Sequence, residues 1–311
     1  MAEDFAAEQE RLLNLWKGVV RKSPALGRCA RFEAVSDVPV ERVAGLARAR
    51  DEILTHAAAI THPEVYKRWG TAPAVGLLMI GPRGAGKSIL ARALATRLEA
   101  PLLEVDVPQL VLEVLTHGAE VVPLVETWDE VFADFPRLVV HFDELDFERM
   151  HETGERRAGL PVGPLLEFLL RLVAQCAESR SVVLVGSTSY PDTVRPVFLS
   201  RRRFSRTLAV EPTFPDDHVA VLETHARLAE ERAERTLFEP IDWKQVVEGE
   251  RALSPGQWVE ALHCALRGHA RREAAGEEVG LVPASAVREE AIALAATAAS
   301  THAQPSSGNY L

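Results

Sequence analysis

The chain has 311 residues, 47% hydrophobic and 26% charged, enough for one large or two modest domains with real cores. Its 45 acidic residues against 35 basic ones leave a formal charge of −10, which argues against nucleic acid as the main partner, since a duplex binder presents a basic face. No apolar run approaches the ~20 residues of a membrane span, and the acidic start MAEDFAAEQE lacks the basic and apolar regions of a signal peptide. Cys29, Cys176 and Cys264 show neither CxxC nor metal-ligand spacing and read as reduced, mostly buried thiols of a cytoplasmic protein. Of the basic residues only five are lysine: Lys17, Lys22, Lys67, Lys87 and Lys244.

Residues 1–22 carry Phe5, Leu12, Leu13, Trp16, Val19 and Val20 at helical spacing and predict an amphipathic helix. Its apolar face has two possible destinations, the chain's own core or a partner, and the first is preferred. Ser23–Pro24 breaks the helix, and Ser23–Val40 reads as an irregular link, so residues 1–40 form an N-terminal helix and linker. Residues 41–211 alternate short apolar runs with helical segments. The predicted strands are Val75–Ile80, Pro101–Asp106, Leu138–Phe142, Val182–Ser187 and Thr207–Val210. Helices are predicted at Lys87–Leu98, Leu124–Ala133 and Pro164–Glu178. This alternation specifies an α/β domain with a five-stranded parallel sheet covered on both faces, a three-layer sandwich. After Pro212 the strand signal stops. Helices at Asp216–Glu234, Trp243–Glu248, Pro255–Arg272 and Ser285–Thr297 make a small all-α domain over 212–298, and 299–311 reads as a flexible tail.

Two motifs carry chemistry. Gly81-Pro82-Arg83-Gly84-Ala85-Gly86-Lys87-Ser88 fits the phosphate-loop pattern G-x-x-x-x-G-K-[ST], with an apolar strand before it and good helix formers from Ile89 onward. Glycines let backbone N–H groups converge on an anion, and the following helix adds its dipole. Lys87 would reach the β- and γ-phosphates, and the Ser88 hydroxyl would ligate Mg²⁺. An ordinary glycine-rich turn is the bland alternative, and the strand and helix on either side argue against it. The second motif is Leu138–Phe142 followed by Asp143 and Glu144, a buried strand ending in two acids at the carboxyl edge of the sheet. Asp143 suits the Mg²⁺ shell, and Glu144 suits the base that polarises attacking water. His141 within that strand reads as a core residue or one supporting the site from behind.

These motifs and the segments around them resemble the AAA ATPases, a branch of the AAA+ superfamily close to FtsH-like and Cdc48-like proteins. The resemblance covers residues 35–272. It includes Val43-Ala44-Gly45-Leu46, similar to the segment over the adenine, and His62-Pro63-Glu64-Val65-Tyr66…Gly70. It continues through Ser187-Thr188-Ser189-Tyr190-Pro191-Asp192, similar to an "ATN-x-PD" stretch, Arg195–Leu199 with Arg203-Phe204, Asp217–His225, and Ser254-Pro255-Gly256.

The resemblance implies a P-loop NTPase domain and helical lid that bind ATP and Mg²⁺, hydrolyse ATP, and assemble as a homo-oligomeric ring, a hexamer, acting on a protein partner. It places Ala44, Gly45, Ile89, His225 and Gly256 at the nucleotide beside the phosphate loop. Ser189 falls where a sensor asparagine is usual, and Arg203 matches an arginine finger acting on a neighbouring subunit's γ-phosphate. The usual first finger position is Ser200, with Arg201 and Arg202 beside it, and a solvated basic cluster is the plain alternative. Gln257 replaces a small residue. Thr116 and His117, before Gly118, stand where polypeptide-threading members carry an aromatic-hydrophobic pair, so conventional unfolding is not expected. The alternative function is a nucleotide-gated scaffold with little turnover.

Overall fold

The computed structural model describes residues 2–147, 161–179, 181–194, 198–200 and 202–302. Arg201 and Arg195–Val197, named above, lie outside these. The chain divides into two compact units. The first comprises residues up to Val43, Ala47–Gly81 and Lys87–Val210; the second comprises Ala44–Leu46, Pro82–Gly86 and the chain from Glu211 onward.

In the first unit the elements run α1 (Ala2–Lys22), α2 (Pro24–Cys29), β1 (Ala30–Glu33), α3 (Ala47–Thr61), α4 (Pro63–Arg68), β2 (Gly76–Ile80) and α5 (Lys87–Arg97). They continue with β3 (Leu102–Asp106), α6 (Val107–Val121), α7 (Leu124–Phe132), β4 (Leu138–Asp143), α8 (Val162–Glu178), β5 (Val182–Thr188) and β6 (Arg206–Ala209). The sheet has six strands in the order β1-β3-β4-β5-β2-β6. The five predicted strands are all present and parallel, while β1 adds an antiparallel edge paired with β3, Phe32 opposite Leu103. Every residue from Leu138 to Phe142 is fully buried. Successive side chains of a strand point to opposite faces, so helices cover both faces and the three-layer reading holds.

The expected irregular link over Ser23–Val40 is corrected here, because it contains α2 and β1. Four residues are too short for period-two alternation to register, and β1 forms only because β3 offers a free edge far along the chain. The N-terminal helix packs on the chain's own core. Leu12 and Val19 join a cluster with Leu26, Cys29, Leu103, Trp128 and Phe132, and Trp16 stacks on Phe32 with ring centroids 5.1 Å apart.

The second unit contains α9 (Asp216–Ala233), α10 (Trp243–Val247), α11 (Pro255–Ala274) and α12 (Ala284–His302) around Leu222, Trp258, Leu262 and Val287. Ser254 caps α11 with a reciprocal box: its Oγ accepts from Gln257 N at 3.3 Å, while Gln257 Oε1 accepts from Ser254 N at 2.9 Å. Helix α12 runs to His302, past the tail boundary expected at 298. No described helix is long and apolar enough to cross a membrane.

Leu26 is 1% exposed. Leu26→Ala should therefore lower the unfolding free energy by about 3 kcal/mol, read as a urea midpoint; an unchanged midpoint would show that α2 lies outside the cooperative core. Burial in α3 pushes the His56 imidazole down to about 4 against a weaker opposing pull from Glu52. The unfolded chain, with histidine near ~6.5, then binds the extra proton first, so stability falls as pH drops from about 6.5 to about 4 and levels off below. His56→Leu should flatten that limb of the curve.

Candidate functional site

Strand β2 ends at Ile80, flanked by β5 and β6. Gly81 N donates to Thr188 O at 3.2 Å, and Val210 N donates to Ile80 O at 2.7 Å, so the exit of β2 is held from both sides. Lys87 opens α5 and is buried. Its Nζ donates to Gly81 O at 2.8 Å and to Ser189 Oγ at 3.0 Å. An ammonium out of water needs such acceptors, and here they come from the start of the loop and from the residue just after β5. Ser88 and Ile89 follow, half-buried, in the first turn of α5.

Strands β3, β4 and β5 run parallel and in register, bringing Asp106 opposite Asp143 and Phe142 opposite Gly186. Asp143 Oδ1 accepts from the Ser187 hydroxyl and, at 3.1 Å, from Glu144 N. Glu144 sits in the left-handed region at φ 55°, a conformation that costs a non-glycine residue about 1 kcal/mol or more and that turns the chain sharply after β4. Asp146, buried one turn on, accepts from Thr188 Oγ1 at 2.9 Å. Behind the pair, the fully buried His141 lies 3.4 Å from Glu104 Oε1 and 3.9 Å from Asp143 Oδ1. Glu104 is held below the usual carboxylate range chiefly by its interaction with His141. The first unit thus gathers Lys87, Ser88, Asp143, Glu144 and Ser189 at the carboxyl ends of β2, β4 and β5, where a parallel sheet presents its ligands. Ser187, Thr188 and Asp146 had no assigned part in the sequence reading. Only the in-register pairing of β4 and β5 reveals them.

In the second unit, Pro82–Gly86 rests on the start of α11. Gly256 N donates to Gly84 O at 3.1 Å, and a Cβ at Gly84, where φ is +74°, would lie 2.5 Å from Ser254 Oγ. Only glycine fits both the conformation and the approach. Ala44 and Gly45 precede Leu46, whose N–H donates to Asp217 Oδ1 at 3.2 Å, while Asp217 Oδ2 accepts from Thr213 N at 2.7 Å. His225, half-buried on α9, has its imidazole pushed down by burial and by His263 and Arg232. Gln257 is the second half of the α11 capping box, a pattern that S-P-G-Q carries in plain sight.

Arg203 is half-buried; its Nε donates to Leu170 O at 3.3 Å and Nη1 to Ser200 Oγ at 3.4 Å, while Arg202 is exposed. Thr116 and His117 lie inside α6, which kinks at His117 (φ −132°, ψ 36°). Thr116 Oγ1 donates to Leu112 O at 2.8 Å, and His117 Nδ1 lies 3.1 Å from Glu113 Oε2. Arg28 of α2 pairs with the same Glu113 oxygen at 2.8 Å and holds that carboxyl below its ordinary range.

Residues 77–212 match the family described as "ATPase family associated with various cellular activities (AAA)". The chain carries an AAA ATPase domain. Its relatives include mouse nuclear valosin-containing protein-like, 33% identical over 181 residues, which are 57% of this chain and 20% of that protein. The cell division cycle protein 48 homolog of Archaeoglobus fulgidus is 28% identical over 222 residues, 69% of this chain and 28% of that protein. The ATP-dependent zinc metalloprotease FtsH of Acidothermus cellulolyticus is 30% identical over 222 residues, 68% of this chain and 32% of that protein. The chain therefore spans only 20 to 32% of the length of these relatives. AAA ATPases bind ATP, and residues 81–88 of this domain carry the whole G-x-x-x-x-G-K-[ST] pattern.

Proposed function

We propose that this AAA domain hydrolyses ATP with Mg²⁺, within a homo-oligomeric ring that remodels or assembles a protein partner. The observation that supports it most is the gathering of Lys87, Ser88, Asp143 and Glu144 at the carboxyl edge of one sheet, with Lys87 already bonded to Ser189. The donors fit the metal, since a hydroxyl and a carboxylate are the hard oxygen ligands Mg²⁺ prefers, and Asp143 Oδ2 accepts no hydrogen bond from a described residue. Bound there by Ser88 and Asp143, the ion would neutralise charge on the phosphates. The loop N–H groups and Lys87 bind and orient the β- and γ-phosphates, and Glu144 takes the proton of the attacking water. The Ser189 hydroxyl reaches less far than an amide and serves to orient Lys87. Arginine from a neighbouring copy supplies the remaining positive charge, which gives a ring its purpose. Cytoplasmic residence fits the reduced cysteines.

A second reading, a nucleotide-gated scaffold with little turnover, draws support from α6. Thr116 and His117 offer no aromatic grip on a polypeptide, and the Arg28–Glu113–His117 chain ties their helix to α2. Steady-state hydrolysis with and without a partner separates the two readings, a negligible rate in both conditions favouring the scaffold.

Lys87→Ala should abolish nucleotide binding in a fluorescence titration, whereas Glu144→Gln should bind ATP normally and lose turnover by about a hundredfold or more. Undiminished hydrolysis in Glu144→Gln would refute the assignment of the base. Arg202→Ala and Arg203→Ala, compared at concentrations where the protein assembles, should show which arginine acts in trans. The finger variant loses about a thousandfold in turnover while binding ATP as before.

A further inference from the structure

Ser187 is fully buried near the end of β5, and its hydroxyl donates to Asp143 Oδ1. Glu144 N donates to the same oxygen at 3.1 Å, so two donors from different segments converge on one side of the carboxylate. The side-chain torsion of an aspartate is otherwise broad, and a carboxylate held by one donor alone can swing. Held by two on Oδ1, it keeps Oδ2 as the oxygen that no described residue bonds. The hydroxyl is not required to join the strand to the turn. Leu145 N already donates to Ser187 O at 3.0 Å, and Thr188 Oγ1 already bonds Asp146. The stretch that Ser187 opens resembles "ATN-x-PD", whose first position is alanine and carries no hydroxyl. The contact is therefore a property of this chain and not of the resemblance.

We propose that Ser187 is a positioning residue for divalent-cation binding: its buried hydroxyl fixes Asp143 Oδ1 and so leaves Oδ2 as the oxygen that meets a hydrated Mg²⁺. This inference rests on the reading of Asp143 as a Mg²⁺ ligand. No covalent step is involved. Ser187 acts only through Asp143, so its loss shifts the metal requirement and leaves metal-free nucleotide binding alone.

The test is equilibrium binding of a fluorescent ATP analogue to the whole chain, in EDTA and across a MgCl₂ titration. Ser187→Ala should raise the Mg²⁺ midpoint about tenfold, the scale of one lost hydrogen bond to a charged group, with wild-type affinity in EDTA and a wild-type melting temperature. Asp143→Asn should shift the midpoint at least as far, and adding Ser187→Ala to it should change nothing more, because the hydroxyl then has no carboxylate to hold. Ser187→Cys, close in volume and a weaker donor, should fall between wild type and Ser187→Ala, and it carries the test if the alanine variant fails to fold. A wild-type Mg²⁺ midpoint in Ser187→Ala, or in Ser187→Cys where that variant carries the test, overturns the proposal. So does an equal loss of affinity in EDTA, which marks a purely structural role. A wild-type protein whose nucleotide binding ignores Mg²⁺ overturns the metal reading itself, and that failure is visible before any variant is made.

Discussion

A buried ammonium organises the carboxyl end of the sheet in the first unit. Lys87 stands at the start of α5 with little access to water, and the interior tolerates it only if oxygen atoms surround it. The Gly81 carbonyl and the Ser189 hydroxyl meet that demand. One belongs to the exit of β2 and the other follows β5, so β2 and β5 must be neighbours in register, which the pairing of Ile80 with Thr188 achieves. The charge thus links sheet order, loop path and helix start. Lys87 is thus held in one orientation by acceptors from two strand ends.

The acidic side of the site obeys the same logic of satisfaction. Asp143 and Asp146 both lie where β4 ends, and each is met by a hydroxyl from β5, Ser187 on the first and Thr188 on the second. Glu144 between them adopts a left-handed backbone that its neighbours hold in place. Strain at one residue is sustained because the hydrogen bonds on either side over-determine the turn. Glu144 is therefore presented by a rigid corner, which suits the part proposed for it, where distance from a reacting water would decide its usefulness.

The N-terminal segment changes the character of the sheet. A parallel sheet ending at β3 would leave an unpaired edge, and β1 occupies it in antiparallel sense while α1 and α2 bury Leu12, Val19 and Leu26 in the same core. Through Arg28 and Glu113 this segment also reaches α6, the helix that holds Thr116 and His117. Three residues that the resemblance singles out have local partners. His117 bonds its own helix, Gln257 completes a capping box, and Ser189 meets Lys87.

The amino-acid pattern alone determined the five parallel strands, the helical character after Pro212 and the end of β4 at an acidic residue, Asp143. Those signals are local: apolar runs bounded by turns, and periodicity. Strand β1, the work of Ser187 and Thr188, the anchoring of Asp217 to Leu46 and the pairing of Arg28 with Glu113 were decided only by the tertiary structure. Each joins residues far apart in the chain, and a four-residue strand or a single buried hydroxyl has no periodicity to announce it. Its meaning comes from the neighbour that packing supplies.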